Sequence, residues 1–236
     1  MKHLILAIAT ISIGFLFTSC KKEINGSGHY VTQTRTVSNF NEVSSNGDFD
    51  VILVEDSISR IELNGEDNIL PEIETIVSGN ELRICFNKHL YSYDHSGVTI
   101  TIYNPSFNGI HLQGSGNISS YDTLTSGKLD VNLTGSGNMD LLVNNTFLNS
   151  RISGSGSITL QGEVSSAKHI ITGSGNLNAF SLVSTEATAT ITGSGICRVN
   201  VINKLTATIT GSGNVIYIGN PQIITNIIGS GQVMPE

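Results

Sequence analysis

The side chains in this sequence that could do chemistry are three cysteines, six histidines and nineteen carboxylates. A thiolate serves as nucleophile or metal ligand, imidazole as proton shuttle or ligand, and carboxylates in pairs cleave glycosidic bonds. Each use demands a spacing or a convergence. Cys85 lies in the apolar run LRICF, and Cys197 stands in a column otherwise filled by aliphatic residues. Both read as small buried hydrophobes. They are separated by five or six turns of the repeat set out below, roughly 25 Å, whereas a disulfide needs Cα atoms within about 7 Å. Both are expected to be free. His29, His89, His95, His111 and His169 share no metal-ligand spacing. The segment HLYSYDH, with His89, Asp94 and His95, comes nearest and reads as a solvated loop. His169 stands with Ile110, Val131, Ser150, Ala189, Ala207 and Thr225 and reads as an inward residue, either tolerated there or hydrogen-bonded, in preference to a ligand. Beyond residue 114 the acids are Asp122, Asp130, Asp140, Glu163, Glu186 and Glu236, which fall in different columns. The earlier acids Asp48, Asp50, Glu66 and Asp67 are assigned to solvating strand edges. No catalytic residue, metal ligand or cofactor site is therefore expected, and the chain reads as a non-enzyme.

What positions these residues is a repeat. The tripeptide Gly-Ser-Gly recurs with its glycines at Gly114 and Gly116, Gly135 and Gly137, Gly154 and Gly156, Gly173 and Gly175, Gly193 and Gly195, Gly211 and Gly213, and Gly229 and Gly231. The intervals are 21, 19, 19, 20, 18 and 18 residues. Two positions before each first glycine stand Leu112, Leu133, Ile152, Ile171, Ile191, Ile209 and Ile227, all aliphatic. Two positions after each second glycine stand Ile118, Met139, Ile158, Leu177, Cys197, Val215 and Val233, all apolar. Alternation of period two on both sides of a glycine corner means two strands per unit. One such unit cannot bury its apolar face, whereas stacked units bury a continuous core. The pattern predicts an all-β parallel β-helix of 18–21 residues per coil, with dry aliphatic ladders inside and Gly-Ser-Gly at the corners. The glycines let the backbone turn where a Cβ would clash, and the Asn that often follows can bridge to the next coil. No helix follows any copy, which excludes a phosphate-cradling loop. Calcium-binding repeats have nine-residue periods, and the stacked Thr-x-Thr of ice-binding faces occurs in only two coils, so neither function is expected.

The rest of the chain divides around this array. Residues 1–19 have a basic start at Lys2, an apolar run from Leu4 to Phe17 and then small residues before Cys20. This is the shape of a secretory signal, and it resembles a bacterial lipoprotein signal with Cys20 as the lipidated residue. Residues 20–30 read as a flexible tether containing a further Gly-Ser-Gly at 26–28. Residues 31–110 read as irregular first coils and a cap, with strands in DFDVILVED, SRIELNG, IETIVSGNELRICF and VTITIYN and a short helical turn in EDNILPEI. Residues 111–236 are the regular coils, with Pro235 as a stop.

The segments TVSNFNEVSSNGDFDVILVED, GEDNILPEI and VSGNELRI, followed by serial GSGN corners, resemble the putative auto-transporter adhesin, head GIN domain family. The resemblance spans about residues 31–234. It implies a right-handed parallel β-helix in a secreted protein or lipoprotein, and it brings no catalytic residues. A net charge of −7 argues against nucleic acid as partner. The expected function is that of a non-catalytic cell-envelope lipoprotein, held to the membrane by its lipid and lying on either face of the outer membrane. It would offer a Ser/Thr/Asn-rich side to a glycan or another envelope protein. A polysaccharide-active enzyme and a purely structural envelope protein are the alternatives.

Overall fold

The computed structural model describes residues 22–87, 90–94 and 97–236. Among them the chain is strand and connecting turn, with one 3-10 turn at Leu70–Glu72 in the segment expected to hold it. Residues 1–21, with the signal and Cys20, and His89 and His95 lie outside the described residues. Among the described residues no helix is long and apolar enough to cross a membrane.

The regular part is a parallel β-solenoid. The strands Asn138–Gly154, Ser157–Gly173, Asn176–Gly193 and Ile196–Gly211 each run from one corner to the next, Leu124–Gly135 leads into the corner below them, and all pair in parallel with their neighbours. Like residues stack on like. Ile152, Ile171, Ile191, Ile209 and Ile227 form one column, and its first four members are at most 1% exposed. Ile118, Met139, Ile158, Leu177, Cys197 and Val215 form a second buried column. Each aliphatic side chain so placed contributes about 1.5–3 kcal/mol by leaving water. Coils of unequal length still keep their corners aligned, because the surplus is taken up elsewhere. The register shifts between Ala179 and Val183 and again between Ser184 and Glu186, at the soft bend in mid-coil, and is regular from there through Gly193 and Gly211.

The two glycines of a corner do different work. The first has a left-handed backbone, with φ 121° at Gly211 and values from 114° to 130° along the column. The second is not left-handed, and its constraint is space. A Cβ on Gly213 would stand 2.6 Å from the Gly195 carbonyl oxygen and 2.6 Å from Ile191 Cγ2. The corner also satisfies its own polar groups. The carbonyl of Gly114 accepts from the backbone N–H of Ser136 at 3.0 Å and of Gly137 at 3.1 Å, and the same exchange recurs in later coils. Asn side chains extend the ladder outside the corner, with Asn138 Nδ2 donating to Asn117 Oδ1 (3.1 Å) and Asn117 Nδ2 to Asp50 Oδ1 (2.7 Å). Ser157 and Ile196 interrupt this ladder higher in the stack.

At the N-terminal end, stacking order departs from chain order. Glu42–Gly47 and Asp50–Glu55 form a coil with its own corner, where Gly47 lies under Gly114. Phe49 there takes the place of the second glycine, its ring packed on Phe86 at 4.8 Å between centroids. The chain then passes to the far side, where Glu81–Phe86 and Thr99–Asn104 add in parallel to that coil. It returns to place Gly109–Gly114 and Asn117–Ser120 on the opposite side of the same coil. Beyond lie antiparallel strands, Ile73–Ser78 on one sheet and Arg60–Glu66 followed by Tyr30–Thr36 on the other. Arg35 joins the two sheets across the end, donating to the carbonyls of Ile73 (2.6 Å) and Leu70 (2.8 Å).

Two expectations need correction here. Glu66 does not solvate an edge, because it is only 3% exposed and accepts the backbone N–H of Gly28 at 2.8 Å. With Asp67 accepting from Ser27 Oγ (2.6 Å) and Asn68 from the Ser27 N–H (3.0 Å), it fastens the 26–28 tripeptide to the body. The chain expected as tether is thus tied down well before Tyr30. A short Gly-Ser-Gly backbone fits closely against a turn that offers three acceptors, and sequence composition reports only its flexibility.

Candidate binding face

A face rich in polar side chains is the outer side of the sheet that leads into each first glycine. Alternation turns Ile110, Val131, Ser150, His169, Ala189 and Ala207 inward, so the residues between them point out. One outward column reads Glu42, Gly109, Asp130, Asn149, Lys168, Thr188 and Thr206. The next reads Ser44, His111, Asn132, Arg151, Ile170, Thr190 and Thr208. The face is graded, with charges and amides toward the capped end and a grid of threonines toward the other.

The charged half is knitted together. Lys128 Nζ lies 2.7 Å from Asp130 Oδ2, and Asn149 Nδ2 donates to Asp130 Oδ1 at 2.7 Å. Asn132 Nδ2 is 3.0 Å from His111 Nδ1, and His111 Nε2 is 3.8 Å from Glu42 Oε2. Gly109 leaves room for this contact, since a Cβ there would stand 2.9 Å from Glu42 Cγ and 3.1 Å from His111 Nε2. Partial burial pushes the Asp130 carboxyl up, but the hydrogen bonds from Lys128 and Asn149 outweigh it and hold the pKa below its ordinary value. Asp130 is therefore a fixed anion and acceptor, poorly suited to donating a proton. Beside it runs a groove of about 610 Å³ that Glu42, Lys128, Asp130 and Phe147 help to line. Phe147 is 55% exposed, an aromatic ring open to water in a groove that also holds carboxylates. A second depression of about 350 Å³, at the soft bend near Glu163, Val183 and Ile202, has a single carboxylate.

The other expected residues lie apart from this face. The corner glycines, from Gly114 and Gly116 to Gly229 and Gly231, shape the backbone and present no functional group. Cys85 and Cys197 are free thiols. Burial pushes the Cys197 thiol up to about 12, so it stays protonated and inert. His169 is 1% exposed, inward as its column suggested, and of the two alternatives it is the hydrogen-bonded one, with Nδ1 2.7 Å from Ser150 Oγ. Among the described residues no three His, Cys, Asp or Glu side chains stand together as a metal site. The contact of Glu42 with His111 escaped the sequence reading because Glu42 comes from a coil whose place in the stack the sequence does not reveal. The one available signal was Phe147, a large aromatic at a position where its stack neighbours are Lys128 and Ser166.

Together these features define a class, an elongated β-solenoid closed at one end by antiparallel strands and carrying a fixed polar outer face. The family model of the putative auto-transporter adhesin, head GIN domain, matches residues 39–221. The chain belongs to that family, as its corner and cap segments suggested. The crystal structure of a putative adhesin from Bacteroides fragilis NCTC 9343 is similar at 26% identity and a TM-score of 0.84, covering 90% of this chain and 100% of that one. A putative adhesin from Parabacteroides distasonis ATCC 8503 is similar at 25% identity and a TM-score of 0.71, covering 91% of this chain and 100% of that one. A putative lipid binding protein from the same organism, 24% identical with a TM-score of 0.78 over 91% of this chain and 100% of that one, shares the fold. Among curated proteins, none matches the chain.

Proposed function

We propose that this protein is a non-catalytic binding module of the cell envelope. In this reading it is anchored to the outer membrane through lipid on Cys20 and engages glycans through the groove beside Asp130. The observation that carries the reading is an exposed Phe147 ring lining the same groove as a hydrogen-bonded, ionised Asp130. The apolar face of a sugar ring stacks on an aromatic, while carboxylate, amide and ammonium groups fix its hydroxyls. Asp130 is held by two partners and so serves as a preset acceptor, which favours binding over proton transfer. Membership of a family named for adhesins, and two structural neighbours bearing that name, support a role in attachment.

The test is a glycan array followed by titration calorimetry on the best ligand. Phe147→Ala and Asp130→Asn should each weaken binding by about tenfold or more while leaving the thermal midpoint nearly unchanged. Binding indifferent to both changes would remove the groove from the function. Turnover of a polysaccharide, lost on changing Asp130 or Glu42, would make the protein an enzyme. A blank array together with a blank envelope pull-down would leave an architectural role. The anchor has its own test, incorporation of labelled fatty acid that Cys20→Ser abolishes.

A further inference from the structure

The two ends of the stack are finished differently. At the capped end each sheet closes on an antiparallel strand, and Arg35 ties the sheets together. At the other end the last strands, Gln222–Gly229 and Gln232–Pro235, still run parallel to their predecessors. No described strand pairs with their outer edges. All eight residues of Gln222–Gly229 are exposed. Inward columns that are dry through the stack finish on Ile223 and Ile227, 37% and 40% exposed, and Ile224 and Ile228 beside them are 47% and 65% exposed. This strand has no charged residue and no proline, and its register with Lys204–Gly211 is unbroken. The devices that keep an open sheet edge from pairing are therefore missing from it.

We propose that this end is covered by the same end of a second copy, with Gln222–Gly229 pairing antiparallel to itself about a two-fold axis at Thr225. In that register Thr225 faces the partner's Thr225, Ile223 faces the partner's Ile227, and Ile227 faces the partner's Ile223. Directly opposed residues in an antiparallel pair share a face, so both isoleucine contacts fall inside and continue the dry columns. The free N–H and C=O groups of the edge are satisfied at the same time. On the other sheet Pro235 has no N–H, which confines pairing to Gln232–Met234 around the half-buried Val233. Both copies use this same edge, so pairing consumes it on each of them. A second copy therefore makes a closed dimer and not a filament.

Light scattering and sedimentation of the purified protein should give the mass of two copies. Ile223→Lys and Ile227→Lys, each placing a charge in the shared interior, should raise the dimer dissociation constant by about tenfold or more. Thr225→Cys supplies a test that does not depend on those variants folding. At a two-fold axis this position meets its own mate, so mild oxidation should link the copies covalently. Thr208→Cys, half-exposed one coil earlier, should not link. A single-copy mass at micromolar concentration, a dimer indifferent to both lysine changes, or cross-linking no greater at position 225 than at 208 would each overturn the proposal.

Discussion

His169 shows how one residue can set a pH response. Burial beside Ser150 lowers its pKa from the ordinary 6.5 to about 4. Between those values the unfolded chain takes up a proton that the folded chain refuses, so unfolding gains as the solution is acidified. Stability linked to His169 is fully present above pH 6.5 and is lost as pH falls toward 4, by an amount on the order of 3 kcal/mol. His169→Ala has a ready fit, since its column continues with Ala189 and Ala207. Denaturant midpoints measured from pH 7 to 4 should fall more steeply for the wild type than for this variant. Parallel slopes would show that the imidazole titrates freely. The inward place of His169 was legible in the sequence, because its neighbours in the repeat are small or apolar. The repeat also placed Ser150 one coil below, and the structure adds that its hydroxyl meets the imidazole Nδ1 at 2.7 Å.

At the scale of the element, the corner is where the fold is most tightly specified. Sequence reading assigned both glycines of each corner to a sharp turn. The structure separates a conformational need at the first from a steric need at the second, because backbone of the preceding coil and an inward isoleucine occupy the space a Cβ would take. Gly213→Ala should cost about 1–3 kcal/mol through overpacking. Gly211→Ala should cost at least as much, adding strain at φ 121° to a Cβ 2.5 Å from the Gly193 carbonyl oxygen. Coil stabilities in such stacks add by nearest neighbours, so Gly231→Ala, in the last coil, should loosen only that coil. Thermal scans with hydrogen exchange on the three variants would check the order, and equal global losses at positions 213 and 231 would contradict it. The glycine columns were plain in the sequence because they repeat. Their separate causes were hidden because local composition carries no information about the coil below.

For the whole molecule, Arg35 links the outermost strands of the two sheets across the capped end, adding a hydrogen bond to Thr75 Oγ1 at 3.1 Å. Arg35→Ala should leave four carbonyl or hydroxyl acceptors without this donor: the carbonyls of Ile73 and Leu70, Thr75 Oγ1 and Gln33 Oε1. Amide exchange should then quicken in Tyr30–Thr36, Arg60–Glu66 and Ile73–Ser78 while the coils from Asn138 to Gly211 keep their protection. Uniform change along the stack would mean that cap and coils unfold as one. The sequence by itself determined the coil length, the inward columns and the corners, because stacked identical units write the same local pattern again and again. Only the tertiary structure decided that the Glu42–Glu55 coil lies between Glu81–Asn104 and Gly109–Ser120. It also decided that Glu42 and His111 come together near Asp130, that the 26–28 tripeptide docks on Glu66, and that the described stack finishes on antiparallel strands at one end and on parallel strands at the other. Those outcomes depend on which of several similar strands pair across long separations. Backbone hydrogen bonding is nearly indifferent to sequence, so that choice is made by the packing of the whole stack.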